Sequence, residues 1–257
     1  MRPKIAALCL GTLASIFGLP AHSELLIKPG AKVDMPQGCS SKIGQGGNLV
    51  SGELSMPGKC EGGGKPASLT GDAAAPVISF RVEGGVDGKK DRSEIALTRH
   101  RFKFGQENYV SFEVNIPDGS QRTNTWLYLV QFWQGGERPP LAGLRMDRGE
   151  SHMASIIARG EEDRRGQSVA KVDLPPGKWV KVTLMLDIEP EDESCIAAWV
   201  SNDQRREWCG QIGFIQDGTL KDWYRMKFGV YKGGEQGKNF QASFRSIKVG
   251  RKLADVQ

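Results

Sequence analysis

The sequence lacks an apolar run long enough to cross a bilayer, has no basic cluster beyond pairs and no Cys-x-x-Cys, and carries three histidines in 257 residues. Each shortage closes a class of function. A membrane-spanning helix needs about 20 apolar residues, and the apolar run from Ile5 to Leu19 is shorter than that. The adjacent cations Lys89-Lys90 and Arg164-Arg165 read as solvated pairs, and a formal net charge of +5 is not a nucleic-acid footprint. It means only that a polyanion would not be repelled. The cysteine spacings do not match paired zinc ligands and no histidine lies beside them, so a cysteine zinc site is not expected. Beyond the N-terminus no stretch longer than about ten residues repeats apolar residues at helical spacing, and no internal repeat is found.

What is present begins with a targeting pattern. Met1-Arg2-Pro3-Lys4, the apolar run and Ala21-His22-Ser23 have the charged, apolar and small-residue parts of a secretory signal, with cleavage expected after Ser23. A periplasmic or secreted protein without membrane insertion is therefore expected. Loss of residues 1–23 removes Arg2, Lys4 and Cys9 and leaves a net charge of about +3 on roughly 230 residues, a length one sandwich domain can reach. The four remaining cysteines sit in a compartment that permits disulfides and allow three pairings. The local pairing, Cys39 with Cys60 and Cys195 with Cys209, is the expected one. Glycine, serine and proline dominate the chain from Gly30 to Gly71, so residues 24–75 are read as a disulfide-pinned segment packed on a main domain spanning 76–252. The polar stretch Arg159 to Ser168 reads as a mobile loop.

Strict alternation identifies the fold class. Val110, Phe112, Val114 and Ile116 alternate with Tyr109, Ser111, Glu113 and Asn115; Val180, Val182, Leu184 and Leu186 do the same after the turn Pro175-Pro176-Gly177. Further strands are expected near Val77 to Val82, Glu94 to Arg99, Trp126 to Trp133, Leu141 to Met146, Cys195 to Val200, Met226 to Tyr231 and Phe240 to Val249. Many strands with Gly- and Pro-rich connections predict an all-β protein, a jelly roll of two curved antiparallel sheets with a concanavalin A-like layout.

Period-two geometry also separates the faces of each strand. Tyr224, Met226, Phe228 and Val230 share one face, which reads as core, leaving Arg225, Lys227, Gly229 and Tyr231 on the other. Gln131 and Trp133 lie opposite Val130 and Phe132, and Arg92 and Glu94 lie opposite Ile95 and Leu97. Arg145 faces away from Ala142, Leu144 and Met146. At i and i+2, Arg92 and Glu94 are expected to pair, so that Glu94 orients the arginine.

These blocks carry a resemblance covering roughly Ser79 to Val249. Arg92-Ser93-Glu94-Ile95 resembles the Arg-x-Glu-Leu block of the jelly-roll polysaccharide lyases, a group that includes alginate, glucuronan and heparin lyases. Gln131-Phe132-Trp133 stands where those families carry Gln-x-His, and Lys227-Phe228-Gly229-Val230-Tyr231 resembles their Lys-x-Gly-x-Tyr block. Pro139-Pro140-Leu141-Ala142 and Gly177-Lys178-Trp179-Val180 look like the heparin-lyase-like branch. The resemblance implies β-elimination on a uronic-acid polymer held on a concave face. Arg92 and Gln131 would engage the carboxylate and Tyr231 would act as base, acid or both. Beside the matching blocks, strand alternation adds Arg225, Lys227, Trp133, Arg145 and Glu94 as substrate-lining candidates. His100 falls in no matching block and is a candidate only because it ends the strand expected at Glu94 to Arg99 beside the cleft, its plain reading being a surface histidine among cations. No cofactor and a monomeric chain are expected. Tryptophan at the histidine position keeps a second expectation open, a non-catalytic protein that binds acidic glycans. Lys227 and Arg225 also have a plain reading as a solvated face, and Tyr231 as a packed residue at a strand end. A glycoside hydrolase of similar architecture is disfavoured because the Glu-x-Asp-x-x-Glu arrangement is missing.

Overall fold

The structure, a computed structural model, describes residues 24–25, 54–55, 67–70, 77–84, 90–97, 100–134, 139–149, 152–160, 165–201, 205–213 and 222–257. The signal-like residues 1–23, Cys39 and Cys60 lie outside the described residues.

The described strands are β1 (Glu24–Leu25), β2 (Leu54–Ser55), β3 (Ser68–Thr70), β4 (Val77–Glu83), β5 (Asp91–Leu97), β6 (Phe102–Lys103), β7 (Glu107–Asn115) and β8 (Leu127–Trp133). They continue with β9 (Ala142–Met146), β10 (Met153–Ala158), β11 (Gln167–Asp173), β12 (Trp179–Asp187), β13 (Ser194–Val200), β14 (Arg206–Gly210), β15 (Trp223–Lys232) and β16 (Asn239–Gly250), followed by a short helix α1 (Leu253–Val256). Two antiparallel sheets result. The first has the order β14-β13-β12-β7-β16-β4-β3 with β1 beside β16; the second has the order β11-β10-β9-β8-β15-β5-β2 with β6 beside β15. The protein is thus all-β, a jelly-roll sandwich as the alternation implied.

The alternating apolar residues become the interior. Val110, Phe112 and Val114 of β7 and Val180, Val182, Leu184 and Leu186 of β12 are buried from the first sheet; Leu144 of β9 and Tyr224, Met226, Phe228 and Val230 of β15 are buried from the second. Phe228 packs edge-on to Phe80 of β4 at 5.6 Å and to Phe244 of β16 at 5.5 Å, so an aromatic trio ties the second sheet to the first. A fully buried ion pair, Lys232 Nζ to Asp91 Oδ2 at 3.2 Å, joins the facing ends of β15 and β5. The disulfide Cys195–Cys209 bridges directly paired residues of β13 and β14, as the local pairing anticipated.

Seven strands exceed what alternation revealed, namely the short β1, β2, β3 and β6 together with β10, β11 and β14. The stretch Arg159 to Ser168, read from its polarity as a mobile loop, is corrected at both ends. Arg159 is buried and hydrogen-bonded, and Gln167 and Ser168 already belong to β11, paired with Ala158 and Ile157. Residues of the glycine-rich N-terminal region enter both sheets: β3 pairs with β4 and β2 pairs with β5.

Candidate functional site

Three central neighbours of the second sheet, β5, β15 and β8, bring together sequence blocks far apart in the chain. Tyr231 pairs with Arg92, Gly229 with Glu94 and Lys227 with Ala96 on one side. On the other side Arg225 pairs with Trp133, Lys227 with Gln131 and Tyr231 with Tyr128. Cross-strand partners share a face, so Arg92, Glu94, Gln131, Trp133, Arg225, Lys227 and Tyr231 all stand on the face turned away from the first sheet. The glycine between Lys227 and Tyr231 is required there. Its φ is +138°, and a Cβ would meet Ser93 O at 2.4 Å and Glu94 Cα at 2.6 Å.

Glu94 is the hub of the cluster and is 2 % exposed. Gln131 Nε2 donates to its Oε2 at 2.7 Å, while Arg92 Nε and Lys227 Nζ approach its Oε1 at 3.5 and 3.7 Å. Burial pushes the Glu94 carboxyl above its ordinary range, against the opposing pull of Lys227, Arg92 and the Gln131 hydrogen bond. Burial likewise draws the Lys227 ammonium down to about 8, with Glu94 resisting and Arg92 and Arg225 adding to the fall. Two cations and one amide thus surround one carboxylate. Gln131 and Lys227 are buried with Glu94, whereas Arg92, Trp133, Arg225 and Tyr231 are half-buried above them. A buried charged floor lies beneath a rim of arginines and aromatic rings.

Cations and rings alternate along that rim. Lys227 Nζ lies 3.8 Å from the centre of the Trp133 ring and the Arg225 guanidinium 4.9 Å from it. Arg225 also approaches Trp223, over which Arg101 lies at 4.7 Å. At the other end Arg92 sits 4.1 Å over the Tyr231 ring, and Trp126 meets that ring edge-on at 4.8 Å. The tryptophan at the expected histidine position is therefore a platform flanked by two cations.

The remaining expected residues are placed differently. Arg145 pairs with Tyr128, one strand farther from Tyr231, and its Nη1 donates to the Arg165 carbonyl. His100 lies apart from the Glu94 cluster: it rests edge-on against core residue Phe102 at 4.8 Å, and burial together with nearby Arg251 draws its imidazole down to about 4. His152 meets the Arg122 guanidinium instead. Among the described residues one group of three ligand-type side chains converges, Cys195, Glu207 and Cys209; its sulfurs are bonded to each other, leaving only the Glu207 carboxylate to offer.

Sequence reasoning missed Tyr128 and Arg159. Tyr128 is three residues from Gln131, so period two assigns it to the opposite face. A bulge between Tyr128 and Val130 breaks that period and returns Tyr128 to the site, paired with Tyr231. Arg159 follows β10, and its Nη2 donates to Tyr128 Oη. No period-two signal marks either residue.

Comparison with known proteins agrees with this architecture. The polysaccharide lyase family model matches residues 60–242. Among solved structures, the endo-β-1,4-glucuronan lyase of the fungus Trichoderma reesei superposes with a TM-score of 0.55 at 16 % identity, covering 75 % of this chain and 89 % of that one. An alginate lyase of polysaccharide lyase family 7 gives a TM-score of 0.50 at 14 % identity, covering 69 % of this chain and 81 % of that one. Such identities establish a shared fold. No curated protein matches the sequence. The family match extends over most of the chain and over the strands that carry the Glu94 cluster, and the chain belongs to the polysaccharide lyase family.

Proposed function

We propose that the protein is an exported lyase that cleaves a uronic-acid-containing polysaccharide by β-elimination. The observation that carries this reading is the meeting of Arg92, Gln131, Lys227 and Tyr231 around buried Glu94 on one sheet face. In β-elimination the proton on C5 of a uronate leaves, its bonding electrons form the C4=C5 double bond, and the C4–O bond breaks. The obstacle is the adjacent carboxylate, whose charge opposes build-up of negative charge at C5. Arg92 supplies a half-exposed guanidinium suited to a carboxylate, and Arg225 and Lys227 add positive potential from the same face. Glu94 holds the Arg92 and Gln131 heads in place, which limits the reorganisation needed when substrate arrives. Tyr231, beside Arg92, takes the C5 proton in its deprotonated form. Trp133 and Trp126 offer ring faces for the apolar sides of sugar rings. The Cys195–Cys209 disulfide accords with export into an oxidising compartment.

A second reading is a non-catalytic protein that binds acidic glycans, and the observation favouring it is Trp133 with its two cations where the resemblance expects a histidine. One experiment separates the two. The full chain is incubated with polyglucuronate, alginate and heparin, following the ultraviolet absorbance of the new double bond and retention on each immobilised glycan. Lyase action predicts growing absorbance on at least one polymer and loss of about a hundredfold or more in rate with Tyr231→Phe. Salt-sensitive retention with no absorbance would replace lyase action with binding, and failure of both would overturn the glycan reading.

A further inference from the structure

We infer that Tyr128 donates the proton to the departing sugar oxygen, with Arg159 holding its phenol oxygen in place; the inference rests on the lyase reading above. The chemistry calls for a proton donor as well as a base, and among the described residues no imidazole joins the Glu94 cluster: His100 lies against Phe102 and His152 against Arg122. Tyr128 is the direct cross-strand partner of Tyr231. Such partners have Cα atoms about 4.5–5.5 Å apart with side chains on the same face, so the two tyrosines share the site face. Trp126 packs against both, at 4.8 Å from the Tyr231 ring and 6.1 Å from the Tyr128 ring.

Arg159 gives this pair its direction. It is 2 % exposed and Tyr128 6 %. Its Nε donates to the Pro140 carbonyl at 2.8 Å, which fixes the guanidinium, and its Nη2 donates to Tyr128 Oη. A guanidinium has donors only. The phenol oxygen must therefore accept from Arg159, and its own proton is turned away from the arginine and free to be given up. Once that proton leaves, the cation already in contact stabilises the phenolate without rearrangement. The step balances: Tyr231 gains the C5 proton, C4=C5 forms, C4–O breaks, and the freed oxygen takes the Tyr128 proton, after which solvent restores both tyrosines.

The test compares wild type, Tyr128→Phe, Tyr231→Phe, Arg159→Lys and Arg159→Met on two substrates. One is the polymer, drawn from polyglucuronate, alginate and heparin; the other is a uronide bearing fluoride at C4, a leaving group that needs no protonation. Tyr128→Phe is expected to lose about a hundredfold or more in kcat on the polymer, with KM within a few-fold, yet release fluoride at nearly the wild-type rate. Tyr231→Phe is expected to lose both activities. Arg159→Met should lower polymer cleavage about tenfold or more, and Arg159→Lys, which keeps a cation and donors, should restore most of it. A Tyr128→Phe protein that cleaves polymer normally, or that loses fluoride release as fully as polymer cleavage, overturns this assignment while leaving the lyase reading intact. A wild-type protein that cleaves no polymer and releases no fluoride overturns both. If Tyr128→Phe does not fold, as judged by thermal unfolding, the two Arg159 variants decide: equal polymer rates for lysine and methionine overturn the assignment.

Discussion

Removing the charge of Glu94 and of Lys227, singly and together, probes how the buried floor of the site is held. The two charges are 3.7 Å apart and both are buried. At an effective dielectric constant of about 20, unit charges at that distance attract by about 4–5 kcal/mol. Desolvation opposes this attraction, which is why Glu94 is pushed up and Lys227 is drawn down to about 8. Truncating one member of a buried pair leaves the other uncompensated, at a typical cost of about 3–5 kcal/mol. Glu94→Gln strands Lys227 and should approach the lower end of that range. Lys227→Met should cost less, about 1–3 kcal/mol, because Arg92 and Gln131 still face Glu94. The double variant strands neither partner, so its loss should fall short of the summed single losses by about 1–3 kcal/mol. Urea unfolding of the four proteins measures this coupling. Additivity within about 0.5 kcal/mol would refute the pairing. The pH dependence gives a second check. Lys227 titrates near 8 in the native state and at about 10.4 when unfolded. Between those values the unfolded chain binds more protons, so Lys227 makes stability rise with pH across that window. Lys227→Met should remove that rise.

Three further outcomes are expected. Asp91→Ala leaves the fully buried Lys232 ammonium without its carboxylate and should cost about 3–5 kcal/mol, read as a lowered urea midpoint; a change under about 1 kcal/mol would contradict the pair's role. His100, drawn down to about 4 from an unfolded value of about 6.5, lets the unfolded chain bind more protons between those values, so stability should fall as pH drops through that window. His100→Gln should flatten that acid limb, and an unchanged slope in acid unfolding would contradict it. Joint replacement of Cys195 and Cys209 by alanine opens a loop with a sequence separation of 14 and should cost up to about 3 kcal/mol, seen as a lower Tm.

How much of this was legible before the structure depends on where period two holds. On β15 it holds throughout, so Lys227 and Tyr231 were correctly placed on one face and Phe228 and Val230 in the core. The Arg92–Glu94 ion pair followed from the same rule. On β8 the rule holds only from Val130 onward, and the bulge hid Tyr128. Arg159 was hidden for another reason: the residues that follow it are polar, so its burial depends on Pro140 and Tyr128, which other parts of the chain supply. His100 was placed beside a cleft because it follows β5; packing on Phe102 takes it elsewhere. The Gly229 requirement is likewise tertiary, arising from the approach of β5.

The central claim is elimination at a uronate, and cleavage in water enriched in heavy oxygen tests it most directly. Products are analysed by mass spectrometry after digestion of polyglucuronate, alginate and heparin by the wild-type protein. The account predicts unsaturated ends and no solvent oxygen at the new termini beyond ordinary exchange at the reducing carbon. Saturated ends with one solvent oxygen per broken bond would mean hydrolysis, and would contradict it.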